Sequence, residues 1–89
     1  MIQQEILIIN KLGLHARAAA KFVSCAAAFS SKIEVGPEGS LVDGKSIMSI
    51  MMLAAAKGTT LQLRIDGGDE EEALAAIVRL VDNRFDEDE

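Results

Sequence analysis

The only histidine of the chain, His15, lies two residues before an arginine, Arg17. An apolar run ending at Ile9 and a polar loop with one glycine, Gly13, precede the pair, and an alanine-rich stretch follows it. This spacing predicts an imidazole at the entrance of a helix, with a guanidinium inside the first turn. The first N–H groups of a helix have no internal partners and carry partial positive charge, so they attract anions, phosphate in particular. A neutral imidazole nitrogen is a nucleophile at physiological pH. If it took a phosphoryl group, the new negative charge would fall where the helix end favours it. Arg17 would add planar donors suited to phosphate oxygens. Nucleophile, amide cradle and cation thus fall within three residues, and phosphate handling is the chemistry they suit. A plain helix-cap histidine and a solvated arginine remain the alternative reading of the same residues.

Other chemistries find less support. Gly44-Lys45-Ser46 ends like a phosphate-binding loop of nucleotide enzymes, but only Gly39 echoes the rest of that motif. One histidine and one cysteine, Cys25, leave no cluster for a metal site, and no cofactor is expected. No carboxylate lies near His15 in sequence to complete a triad, and one brought from elsewhere in the chain stays open. A small phosphate-ester or acyl-phosphate hydrolase is a rival reading. Asn10 would be its only nearby amide, and His15 would have no clear purpose.

The positioning elements follow from hydrophobic period. Ile2–Ile9 reads as a strand, with Ile2, Gln4, Ile6 and Ile8 on one face. Ala16 to about Phe29 reads as a helix with Ala19, Phe22, Val23, Ala26 and Phe29 turned to the core. Cys25 borders that stripe and reads as a small buried hydrophobe. Lys32–Val35 and Ser40–Asp43 form a predicted hairpin about the turn Gly36-Pro37-Glu38-Gly39. A second helix is predicted from Ile47 through Ala56, capped by Ser46 and stopped by Gly58. Thr60–Asp66 alternates as a fourth strand. A third helix opens at Asp69, which can cap it, with Glu72 at the capping-box position. Its core stripe is Ala73, Leu74, Ile77, Leu80 and Val81. Asp86–Glu89 is expected to be a solvated, frayed tail. The order βαββαβα, with short connections, predicts one α+β domain over residues 1–89, an open-faced sandwich with the helices on one face of the sheet.

The second helix has two apolar sides. Ile50 and Leu53 can face the sheet, while Ile47, Met48, Met51 and Ala55 lie roughly opposite. Either neighbouring helices cover that second side or it is a partner surface, to which flexible methionines are suited. Ser46 is most simply an N-cap, and it is also a hydroxyl where an added phosphate is electrostatically tolerated.

Composition narrows the setting. The 89 residues carry a net charge of −5, unevenly placed. Met1–Lys57 holds six basic and four acidic residues, and Gly58–Glu89 three and ten. Neither a basic face nor stacking aromatics for nucleic acid is visible. The lone cysteine excludes an internal disulfide and suits a reducing cytoplasm. No apolar run approaches the roughly 20 residues that span a bilayer, and the N-terminus lacks a basic signal start.

Gly13-Leu14-His15-Ala16-Arg17, followed by the alanine-rich helix, resembles the active-site signature of the histidine-containing phosphocarrier (HPr) family of the bacterial phosphoenolpyruvate-dependent phosphotransferase system. Gly44-Lys45-Ser46-Ile47-Met48-Ser49-Ile50-Met51 resembles that family's regulatory serine region. Gly58-Thr59 and Asp69-Glu70-Glu71-Glu72-Ala73 resemble further family positions. The resemblance implies that His15 carries the phosphoryl group on Nδ1, taken from enzyme I and passed to enzyme IIA domains, with Arg17 stabilising it. It implies Ser46 as the target of HPr kinase/phosphorylase. It also implies a docking face that includes Ala16, Ala20, Ile47, Met48 and Met51, and a four-stranded antiparallel sheet covered by three helices. Many family members carry proline after the arginine, whereas this chain has Ala18, which keeps the helix and loosens its first turn. A carrier of this kind is not a stand-alone turnover enzyme, and a monomer that does not insert in membranes is expected. The alternative is a mainly regulatory interaction module, in a branch controlling nitrogen metabolism or kinase signalling rather than sugar uptake.

Overall fold

The computed structural model describes every residue, Met1–Glu89. Four strands, β1 (Ile2–Leu7), β2 (Lys32–Gly36), β3 (Val42–Asp43) and β4 (Thr60–Asp66), form one sheet in the order β1-β4-β2-β3. Every neighbouring pair is antiparallel. Three helices, α1 (Ala16–Ala27), α2 (Ile47–Met52) and α3 (Glu70–Asp82), complete the open-faced α+β sandwich. Period-two alternation explains the sheet's two faces. Ile6, Ile33, Val35, Leu61, Leu63 and Ile65 are buried, and they meet Ala19, Phe22, Ala26, Ile50, Ala73, Ile77 and Val81 from the helices. The other face is polar, with Glu34 opposite Arg64 in register and 3.2 Å from its guanidinium. No helix is long and apolar enough to cross a membrane.

The expected element order holds, and β4 runs over the expected residues. Five expectations are corrected. First, β1 ends at Leu7. Ile8 is fully buried beyond it, exchanging backbone bonds with Thr59 and Gly58 at 2.9 and 2.7 Å. Second, β3 is two residues long, because only Val42 and Asp43 pair with β2. Third, α2 ends at Met52 rather than Ala56. Ala54 takes a positive φ of 50°, and Ala55 turns inward, buried, with its carbonyl accepting Leu14 N–H at 2.9 Å. Ala55 therefore does not belong to the outer side of α2.

The fourth correction is the C-terminal segment, which is not frayed. Arg84, Phe85 and Asp86 form a short turn with φ of 56°, 54° and 62°, a left-handed run that side chains resist. Complete burial of the Phe85 ring offsets that cost. The turn directs Glu87 toward the start of α1.

The α3 start also departs from the capping expectation. Asp69 occupies the N-cap position, but its side chain makes no bond to its own helix. Its carboxylate instead accepts the backbone N–H groups of Ser30 and Ser31 at 2.8 and 3.0 Å, and the Ser31 hydroxyl. The acidic residue thus ties α3 to the α1–β2 connection. Glu70, not Glu72, reaches back, accepting Gly67 N–H at 3.1 Å.

Candidate functional site

The loop between β1 and α1 is fixed from three sides. Gly13 adopts φ 67°, which glycine tolerates, and Leu14 is buried. Asn10, fully buried, donates its amide to the Gly13 carbonyl at 2.8 Å. Its own Oδ1 is buried without a partner. The loop delivers His15 in extended backbone conformation (φ −71°, ψ 177°) as the N-cap of α1.

The imidazole has two distinct faces. Nδ1 accepts the backbone N–H of Arg17 at 3.3 Å, so the ring itself performs the capping that Ser, Asp or Asn usually provides. On the opposite edge, Nε2 contacts the Glu87 carboxylate. The other Glu87 oxygen accepts Asn10 Nδ2–H at 2.8 Å. Burial works to raise the Glu87 carboxyl. Hydrogen bonds from Asn10 and His15 and the attraction of His15 and Arg17 outweigh it and hold the group below the ordinary carboxylate range.

Cations surround this pair. Arg17 is exposed, and no carboxylate lies within ion-pairing distance of its guanidinium. Lys21, one turn on, donates to the Phe85 carbonyl at 2.9 Å and lies 3.7 Å from Asp86. Lys11 pairs with Glu89 at 3.2 Å. Lys11, Leu12, Arg17 and Lys21 share one open depression with Asp86–Glu89. The basic excess of the first half and the acidic end of the second therefore meet around Glu87, which contacts His15. Such a site can hold a small anion beside the imidazole while staying open to a macromolecular partner. No group of three or more metal-ligating side chains is assembled anywhere in the chain.

The sequence signals map unevenly onto this arrangement. His15 and Arg17 lie together as expected. Ala16 and Ala20 are exposed on α1. Ala18 is fully buried in a first turn that is regular from Ala16. Ser46 caps α2, its Oγ accepting Ser49 N–H at 3.3 Å. Lys45, just before that helix, donates to the Phe29 carbonyl at 2.7 Å, two residues beyond the end of α1. Ile50 is fully buried while Ile47, Met48 and Met51 are exposed, Met48 by 72%. Neighbouring helices do not cover that side. Met52, at 80%, and Leu12, at 67%, are exposed apolar residues that sequence reasoning passed over. Glu87 was also missed. Its one advance signal is Phe85, an apolar ring inside a charged tail that has to be buried and brings its neighbours along.

Comparison with known proteins agrees with the site's composition. A family model described as the PTS HPr component phosphorylation site matches residues 2–83. A relative named Phosphocarrier protein HPr, from Pseudomonas aeruginosa, is 63% identical over 87 residues, spanning 96% of both chains. The crystal structure of HPr-C-His from Thermoanaerobacter tengcongensis superposes with a TM-score of 0.94 at 46% identity, with both chains fully covered. A crystal structure of an HPr dimer from the same organism gives 0.77 at 47% identity, covering 98% of this chain and 100% of that one.

Proposed function

The chain belongs to the HPr family and is a phosphocarrier of the phosphotransferase system, and from that premise we propose that His15 is the acceptor, through Nδ1. Its partners are proteins of that system, such as enzyme I and enzyme IIA. The observation that carries the assignment of His15 is its bifacial environment. Nδ1 points at the N-terminus of α1, where backbone N–H groups and Arg17 can receive phosphoryl oxygens, and Nε2 is already engaged. Attack by the Nδ1 lone pair on the donor's phosphorus forms the new P–N bond as the bond from phosphorus to the donor atom breaks. The donor keeps that electron pair. Arg17 neutralises charge on the moving group, and the partly exposed ring lets two partners reach it in turn.

The whole chain serves as one carrier domain and works as a cytoplasmic monomer. Ala16, Ala20, Ile47, Met48 and Met51 form its docking face, extended by Met52. Contact is brief, through a small apolar patch with a polar rim. Ser46 is the regulatory position, where HPr kinase/phosphorylase would add charge of about −2 beside the docking helix and weaken binding to enzyme I. The exposed outer side of α2 supports both statements.

The test is labelling with phosphoenolpyruvate and enzyme I. One acid-labile phosphoryl group per chain is expected, and none in His15→Ala. Full labelling of that variant overturns the acceptor assignment.

A further inference from the structure

Glu87 is left unused by the transfer just described, yet it is the group bound most directly to the reacting ring. Its carboxylate is largely enclosed, with the side chain 13% exposed, and both oxygens are committed, one to Asn10 and one to His15 Nε2. We propose that Glu87 is a positioning residue for phosphoryl transfer: it holds His15 in the Nε2–H form and stabilises the positive charge that the ring acquires as Nδ1 is phosphorylated. The inference rests on His15 being the acceptor.

The tautomer follows from the two partners. Nδ1 faces a backbone N–H and can only accept. Nε2 faces a carboxylate that the site keeps ionised, and can only donate. The lone pair is therefore at Nδ1, and the ring cannot swing to present Nε2 without abandoning Glu87. Asn10 fixes the carboxylate in turn, and Asn10 is locked by burial and by the Gly13 carbonyl. A backbone pin completes the arrangement: Phe85, two residues before Glu87, is buried, and its carbonyl accepts from Lys21.

When neutral imidazole attacks through Nδ1, it bonds phosphorus while keeping its proton on Nε2. No proton has to leave, and the ring becomes cationic as the donor's bond to phosphorus breaks. A carboxylate against Nε2–H stabilises that cation more than it stabilises the neutral ring, so it favours the transition state selectively. The same carboxylate repels the incoming phosphoryl oxygens. That repulsion is weaker, because they gather on the far edge of the ring, where the Arg17 backbone N–H faces them.

The experiment compares Glu87→Gln and Glu87→Ala with the unaltered chain by two measurements. The first is proton NMR of the resting protein, which reads the His15 Nε2–H directly. A protected downfield signal is expected in the unaltered chain, shifted upfield in the Gln variant, which keeps an acceptor oxygen, and lost to solvent exchange in the Ala variant. The second is the rate of phosphoryl transfer from enzyme I. A fall in kcat on the order of tenfold is expected for Gln and up to ~100-fold for Ala, by analogy with the carboxylate partners of metal-bound histidines. KM for enzyme I should be unchanged. A purely structural role would leave the Gln variant at the original rate. That result, or an N–H signal that persists in the Ala variant, overturns the proposal. His15→Ala serves as the control: labelling there would remove the acceptor assignment itself, whereas normal transfer in the Glu87 variants removes only the role of Glu87.

Discussion

The α-carbon of Gly13 lies so close to Ala55 that a Cβ would fall 2.3 Å from the Ala55 carbonyl oxygen. That same oxygen accepts Leu14 N–H, so the loop carrying His15 is clamped against the segment leaving α2. The loop that carries His15 and the segment that follows α2 thus share one joint. Gly13→Ala would meet both the clash and the φ of 67°. We expect a loss of about 2 kcal/mol or more in urea unfolding. Phosphoryl acceptance should slow as well, because His15 is two residues along. A variant of unchanged stability would show that the clamp yields freely.

A second prediction concerns acid. Hydrogen bonds from the Ser31 side chain first, then the Ser30 backbone, lower the Asp69 carboxyl from its ordinary 3.8 to about 2. A depressed carboxyl contributes stability that is fully present above the unfolded value and lost as pH falls through the folded one. The contribution should therefore disappear between pH 3.8 and about 2. Asp69→Asn should be less stable than the unaltered chain at pH 7, with the difference closing toward pH 2. Thermal unfolding midpoints across that range check it, and parallel curves for the two proteins would refute it.

Why some of this was legible in the sequence and some was not has a physical basis. β4 was readable because strict alternation in Leu61, Leu63 and Ile65 leaves one register that buries them all. α1 was readable because alanine favours helix wherever it is placed. The end of α2 was not, because Ala54, Ala55 and Ala56 continue a helical composition, and only tertiary bonding to Leu14 stops it. The Asp69 bonds were hidden because the same carboxylate suits a local cap and a distant serine pair equally well. His15 and Arg17 are neighbours in sequence and could be found together. Glu87 lies 72 positions from His15 and reaches it only because the Phe85 ring draws the tail inward.

The outer side of α2 carries the third prediction. Met48 is 72% exposed and supports no core packing, so Met48→Asp should change stability by no more than about 0.5 kcal/mol. If the patch docks partners, burying a new carboxylate there should weaken enzyme I binding by at least about tenfold, or 1.4 kcal/mol. Ile50→Ala, one helix face away and fully buried, should behave in the opposite sense. It should cost about 2–5 kcal/mol of stability. Calorimetric binding beside urea unfolding separates the two variants, and an unchanged affinity for the Met48 variant would remove that residue from the docking face.

Ser46 allows capping and regulation to be told apart. Its hydroxyl satisfies Ser49 N–H at the start of α2, so Ser46→Ala should cost about 1 kcal/mol. Aspartate is an equally good cap, and its charge suits the positive end of the helix, so Ser46→Asp should fold at least as stably as the unaltered chain. The same charge beside Ile47 and Met48 imposes a desolvation cost on any partner that covers them. Stability and phosphoryl acceptance should therefore move in different directions: Ala less stable with near-normal transfer from enzyme I, Asp stable with slowed transfer. If Asp transferred at the normal rate, added negative charge at Ser46 would not suffice for regulation, and the hydroxyl would be left with its role as a cap.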